Sequence, residues 1–370
     1  SGVTSITADT PGNTDRPTHQ KMEQPQPLSD HPKAIDAVYI NGANADGVYV
    51  VAALARRPKG VFNTMLYLKH PSLGLLQLPR MPDTLLFGDE EKWDAEGLTI
   101  EPLIPMGKWA IRYRGPMRVH KAEDPEDQST GALVDVDLNL VWLSNFPHHD
   151  FDSDMHEAAL SRSIARETWS REYFEGLRDA HQTHYEQMGR LVGKAVVGED
   201  SYVIDLLSMR DHSYGAKREW RLLHRYALHM LHTVDGTQLN VGIVSQPVSS
   251  SHLELGYVCH ANSNKCSSIS KVDMELWRYG EGGHPPKDYA FSFQEGGRTR
   301  YVEVSVVEAP VFFMGWEWEA RIVECFVTFK LDGVPGFGVV EYQYNSGPGD
   351  HRPNCYKEKD PAWTRQLNKG

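Results

Sequence analysis

Arg210-Asp211-His212-Ser213-Tyr214-Gly215 is the densest run of chemistry in the chain, and its setting decides the fold. It follows Tyr202-Val203-Ile204-Asp205-Leu206-Leu207, a short, partly β-branched apolar run with the composition of a strand. Ala216-Lys217-Arg218-Glu219-Trp220 then leads to a second strand-like run. A cation, a carboxylate, an imidazole and a phenol are therefore expected in one short loop between two strands. Such a cluster reads in two ways. It is either a buried ion-pair and hydrogen-bond network stitching a β-barrel, or an acid/base site. In the second reading Asp211 or Arg210 orients His212, and Tyr214 is a second proton carrier.

Outward from this stretch the pattern is mostly β. Val48–Leu54 and Val61–Leu68 flank a turn at Arg56–Gly60. In Leu133–Leu143, apolar Val134, Val136, Leu138, Leu140 and Trp142 alternate with Asp135, Asp137 and Asn139, so one face is buried and one is wet. Asp235-Gly236 between two such runs is a hairpin signal, and Gly296-Gly297 marks another turn. One long helical pattern interrupts the strands. Trp169, Tyr173, Leu177, Ala180 and His184 fall on one face of a helix over 153–187. The expected organisation is a disordered or irregular tail at 1–33, a β-domain at 34–150, a linking amphipathic helix at 151–187, a second β-domain at 188–350 and a tail at 351–370. Two antiparallel barrels or sandwiches would accommodate that number of strands.

Acidic residues outnumber basic ones 50 to 38, a net charge of −12, which argues against nucleic acid or an anionic membrane as partner. No apolar run has the length of a membrane span, and nothing at residue 1 reads as a signal peptide. A soluble chain is expected, in the cytoplasm rather than the lumen or medium. The four cysteines, at 259, 266, 325 and 355, make no disulfide framework. Free thiols are the expected state, although Cys259 and Cys266 can be bridged if their strands pair.

Nucleotide fingerprints, phosphate loops and serine-hydrolase elbows are absent from the sequence, and no cofactor is expected. The acidic stretch Asp150-Phe151-Asp152-Ser153-Asp154 lacks the glycine and the bidentate glutamate of a calcium loop, and no metal is expected. Nine Trp, sixteen Tyr and twelve Phe suit barrels around an apolar cavity.

Four stretches carry a family resemblance. These are His184-Tyr185-Glu186-Gln187-Met188-Gly189-Arg190-Leu191-Val192-Gly193, the Arg210–Gly215 run, Asp332–Glu341, and Pro105-Met106-Gly107-Lys108-Trp109-Ala110-Ile111-Arg112-Tyr113. Over about residues 37–345 the chain resembles the lipocalin-like superfamily of carotenoid 1,2-hydratases, tocopherol-cyclase-like proteins and Diels–Alderases. The resemblance implies two lipocalin-like barrels with a ligand cavity near their interface. It also implies that the motif histidine and the aromatic two positions on protonate a polyene. Those positions are His212 and Tyr214, the latter replacing the family's Trp, and the family's Tyr-x-Asp pair has no counterpart in Thr237–Val241. The expected activity is a cofactor-independent cyclisation, hydration or isomerisation of a hydrophobic polyene, polyketide or terpenoid. Its candidate catalytic residues are His212, Asp211, Tyr214 and Glu186, and the candidate substrate contacts are Arg210, Trp109, Tyr113, Trp220 and Trp316. The competing expectation is a non-catalytic barrel that carries an apolar ligand or serves as an accessory domain.

Overall fold

The computed structural model describes residues 18–120 and 131–347. Strands β1 (Ile35–Ala43), β2 (Tyr49–Arg56), β3 (Val61–His70), β4 (Gly74–Gln77), β5 (Lys108–His120), β6 (Leu133–Ser144), β7 (Thr183–Val197) and β8 (Asp200–Gly215) pair in chain order. β8 returns to β1 and closes an eight-stranded antiparallel barrel. A second ring is built the same way from β9 (Arg225–Thr233), β10 (Gln238–Gln246), β11 (Ser250–Cys259), β12 (Cys266–Asp273), β13 (Asp288–Glu295), β14 (Arg298–Glu308), β15 (Ala320–Leu331) and β16 (Val334–Asn345). Here β16 closes on β9. Closure removes the exposed edges that open sheets must otherwise protect.

The alternation read in 133–143 is real. Val136, Leu138, Leu140 and Trp142 lie inside the first barrel, while Asp135, Asp137 and Asn139 face out. The Asp235-Gly236 hairpin also forms, with Gly236 at φ 93°, a conformation that favours glycine. Gly189 answers a different need. A Cβ there would lie 2.2 Å from the Leu143 carbonyl oxygen and 2.4 Å from the Trp142 indole, so β7 can cross β6 only with no side chain at this point.

Several expectations are corrected. The helix expected over 151–187 is two short ones, α1 (Glu157–Ala165) and α2 (Arg171–Asp179), because the Ser170 side chain accepts from Tyr173 N and caps a new helix. Trp169 consequently stays exposed, and His184 lies on β7 instead of a helix face. The sheet boundary lies after residue 215, not at 187/188, since β7 and β8 hydrogen-bond into the first barrel. Residues 18–33 are not an irregular tail throughout. They form the single helical turn His19–Met22 and carry Glu23, fully buried, into the first barrel. Cys259 and Cys266 are opposite each other on β11 and β12 and form a disulfide, so the free-thiol expectation fails there. Cys325 is a buried thiol, and Cys355, like the tails at 1–17 and 348–370, lies outside the described residues.

The two barrels pack wall to wall. The outward faces of β1, β2 and β3 meet those of β9, β15 and β16. Tyr49 donates from its hydroxyl to the Val327 carbonyl at 2.8 Å, and Tyr39 hydrogen-bonds to Glu324 across the junction. No described helix is long and apolar enough to cross a membrane.

Candidate active site

The Arg210–Gly215 run is not a loop. It is the last stretch of β8, and that one fact divides the motif. Successive strand side chains point to opposite faces. Arg210, His212 and Tyr214 therefore project into the first barrel or its end, and Asp211 and Ser213 project outwards to the second. Asp211 and His212 cannot form the working pair that their adjacency suggests.

The inward half is a sealed network. His212 is fully buried, with Nε2 2.6 Å from Asp36 and Nδ1 2.8 Å from the Tyr185 hydroxyl. Arg56 donates to the other Asp36 oxygen at 3.1 Å. Arg210 donates to Glu23 at 2.9 Å and to Gln187 at 2.6 Å, with its guanidinium near 5 Å from the Trp109 and Trp142 rings. Trp109 and Tyr185 each donate to Glu23 at 2.8 Å. Burial works against the Glu23 carboxylate, but Arg210 and these donors hold its pKa below the usual range. Most of the charged and polar groups here find partners in a water-poor interior, as a barrel plug requires, with Arg210 Nε and the Trp142 indole N–H left over.

The outward half lines a cavity of about 390 Å³ between the barrels. Small residues make the space. Ala37 and Ala55 are direct neighbours on β1 and β2, and Ala53 sits beside Tyr39, so two walls that normally interlock are held apart. Leu228, Val244, Leu255 and Ile322 supply an apolar surface from the second barrel. Against this stand His184 and Glu186 on β7, Asp211 and Ser213 on β8, Arg218, and Tyr226 and Glu341 from the second barrel.

Glu186 and Asp211 face each other across neighbouring strands, a like-charge pairing that sheets ordinarily avoid. Their environments separate their roles. Glu186 accepts from Asn240 at 2.7 Å and Tyr257 at 2.9 Å, and lies 2.8 Å from His184 Nε2. Burial opposes its charge, but the His184 imidazole and these donors prevail and hold its pKa low. Asp211 makes no hydrogen bond among the described residues. Burial pushes its carboxyl up to about 7, helped by Glu186 and Glu341 and opposed by His184 and Arg218. One carboxyl is kept ionised and its neighbour titrates near neutrality, which is how acid/base sites divide labour. Behind them Glu324 and Glu341 sit opposite each other on β15 and β16, with Glu324 raised well above the usual range by burial and by Glu341.

His184, Glu186 and Asp211 place ligand-type atoms within 4.8 Å of one another, a donor set of the kind that suits a divalent cation. The geometry fits a proton network better. His184 Nε2 and one Glu186 oxygen are engaged with each other, and the other Glu186 oxygen already accepts two hydrogen bonds.

Of the residues singled out in the sequence, Glu186, Asp211 and Trp220 line the cavity. His212, Arg210, Trp109 and Tyr113 are buried within the first barrel, with Tyr113 donating to the Pro116 carbonyl at 2.6 Å. Tyr214 is half-buried, its ring 5.0 Å from that of His212. Trp316 lines an adjoining cleft instead. The site also contains His184, Arg218, Tyr226, Glu341 and Tyr39, which sequence reasoning did not select. His184 and Glu186 at i and i+2, like Asp211 and Ser213, were the available signal, once both stretches are known to be strands.

No curated protein matches the chain. Among solved structures, a protein assigned as an AttH of Nitrosomonas europaea is similar with a TM-score of 0.54 at 11% identity, covering 88% of this chain and 99% of that one. Kievitone hydratase of Nectria haematococca gives 0.47 at 11% identity, over 86% and 90% of the two chains. CghA gives 0.43 at 10% identity, over 89% and 97%. The AttH likeness shows a shared fold of two barrels. Over residues 10–344 the sequence matches a family of unknown function, DUF8627, and the chain belongs to that family.

Proposed function

We propose that the protein is an enzyme that takes a small, largely apolar molecule into the cavity between its barrels and converts it by proton transfer. The observation that carries this is the paired carboxyls in an apolar pocket, Glu186 fully hydrogen-bonded and Asp211 with no partner. Asp211, titrating at about 7, is populated in both forms at neutral pH, the condition under which a general acid or base is most effective, with about 10²–10⁴ in rate at stake. It donates a proton to an alkene or carbonyl of the bound molecule. The neighbouring Glu186 carboxylate and the phenol faces offset the positive charge that develops. Loss of a proton back to Asp211 completes an isomerisation or cyclisation with no net change of atoms; capture of water, which then gives its surplus proton to the Asp211 carboxylate, completes a hydration. A polyene, polyketide or terpenoid has the apolar body and the reactive unsaturation this requires. His212 and Arg210 act as scaffold in this scheme.

The test is to incubate the protein and its Asp211→Asn variant with lipid and polyketide extracts and to analyse bound and released species by mass spectrometry. A product isomeric with its substrate, or heavier by one water, that only the unaltered protein forms is the expected result. A ligand retained but unchanged by both proteins would make this a carrier.

A further inference from the structure

The cavity between the barrels borders a second cleft, of about 520 Å³, lined by Lys33, Arg57, Trp316 and Glu319 among others. Asn63, Arg218, Glu219 and Trp220 belong to both walls, so they form the neck between the two spaces. Asn63 is the notable residue there. It projects from β3 on the same face as Ala55, with which it pairs, and is only 3% exposed. Yet its side-chain amide has no hydrogen-bond partner among the described residues. Its polar atoms are not sealed in protein but open onto the cavity space, where they are available to a bound molecule.

Two guanidinium groups flank it. Arg57 donates from Nη1 to the Lys33 carbonyl at 2.8 Å and to the Arg218 carbonyl at 3.2 Å, which leaves Nε and Nη2 without partners among the described residues. Arg218 donates from Nε to Gln182 at 2.8 Å and from Nη2 to Ser213 at 2.9 Å, which leaves Nη1. The nearby carboxylates are already engaged. Lys33 lies 3.7 Å from Glu319, Lys217 lies 3.7 Å from Glu219, and the Glu317 amide donates to Glu319. The neck therefore holds two like charges with unused donors and an unused amide; Glu319 offsets Arg57 and Asp211 offsets Arg218 through space, but neither carboxylate hydrogen-bonds to its guanidinium among the described residues.

We propose that the molecule bound between the barrels has an oxyanionic end, a carboxylate or an enolate, and that this end seats in the neck against Arg57, Arg218 and Asn63. The assignment rests on the functional reading of the same cavity given above. Guanidinium groups are the preferred partners of planar oxyanions, and the Asn63 amide donates a further hydrogen bond. Burial and the Arg218 charge press Arg57 down to about 9, so a bound anion also relieves a repulsion already in place. The apolar body then lies along Ala37, Ala53 and Met65, with Asp211 beside the bonds next to the anionic end. An enolate held this way is conjugated with the unsaturation that Asp211 protonates, which ties recognition to chemistry.

The test uses cis-parinaric acid and its methyl ester as fluorescent probes on the full chain at pH 8. Three proteins are compared: the unaltered chain, Asn63→Asp and Arg57→Met. The acid is expected to bind about tenfold more tightly than the ester to the unaltered chain. Asn63→Asp keeps the shape of the side chain but places a negative charge in the neck, and should abolish that preference by lowering affinity for the acid far more than affinity for the ester. Arg57→Met should do the same where it folds. Equal affinity of the unaltered chain for acid and ester, or a preference that survives in Asn63→Asp, overturns the anionic end while leaving the apolar cavity as the binding site. Failure of both probes to bind, with no displacement by other apolar molecules, overturns the reading of the cavity itself.

Discussion

Replacing Asp211 by asparagine should make the protein more stable at alkaline pH even as it removes activity. An acid whose pKa in the folded protein is raised favours the folded state only while it is protonated. Below its ordinary value of 3.8 the carboxyl is neutral in folded and unfolded chains alike, so no penalty exists. As pH rises towards about 7, the unfolded chain releases the proton readily and the folded chain does not, so stability is lost through that window and stays lost above it. The interval is about 3 pH units, and each is worth about 1.4 kcal/mol, which sets an upper bound near 4 kcal/mol. Asp211 is only half-buried, and solvent screening reduces the effect to about 2 kcal/mol. At pH 8 the Asp211→Asn variant should therefore denature at higher urea, with a melting temperature several degrees above the parent, whereas at pH 4 the two should coincide. A variant no more stable than its parent at pH 8, or equally stabilised at pH 4, would refute the claim that this carboxyl is held in a hostile environment for a purpose other than stability.

Other consequences follow from the divided motif. His212→Ala should lower stability by about 3–5 kcal/mol in chemical denaturation, because it leaves Asp36 and Tyr185 without their buried partner, and any loss of turnover should track the loss of folded protein. Glu23→Gln should cost a similar amount by stripping Arg210 of its counter-charge, with the penalty insensitive to salt because the pair is fully enclosed. Gly189→Ala should destabilise by about 1–3 kcal/mol, since the methyl group would overlap the Trp142 ring and the Leu143 carbonyl. Reducing Cys259–Cys266, which closes a loop of seven-residue separation, should lower stability by about 2–3 kcal/mol, read from melting curves with and without dithiothreitol.

The β class, the hairpin at Gly236 and the alternation of β6 were legible because each of those strands has one dry face and one wet one. The motif strand was not. On β8 the inward side is filled by a polar plug and the outward side belongs to the polar wall of the cavity, so Arg210 to Tyr214 shows no apolar alternation and imitates a loop. The division between barrels was hidden for a related reason. β8 pairs with β1, and no local pattern announces a partner so far back in the chain. Glu23 was read as part of a polar tail because a single carboxylate that will be buried looks no different in sequence from one that will be solvated. Asp211 and Glu186 were found as individual candidates, but their companionship depends on strand register, which the residues of either strand alone do not state.

The way the first barrel closes also bears on the order in which the molecule is made. Its seam joins β1 to β8, so a chain emerging from the ribosome carries an unpaired β1 edge until residue 215 is out. The second barrel repeats the arrangement, its first strand waiting for its last at Asn345. Tyr226 and Glu341 come from opposite ends of that second ring, yet both face the cavity. The pocket is thus the last part of the protein to exist during synthesis, and a nascent chain presents neither its apolar wall nor its unpaired carboxyl as a finished site until both rings have shut.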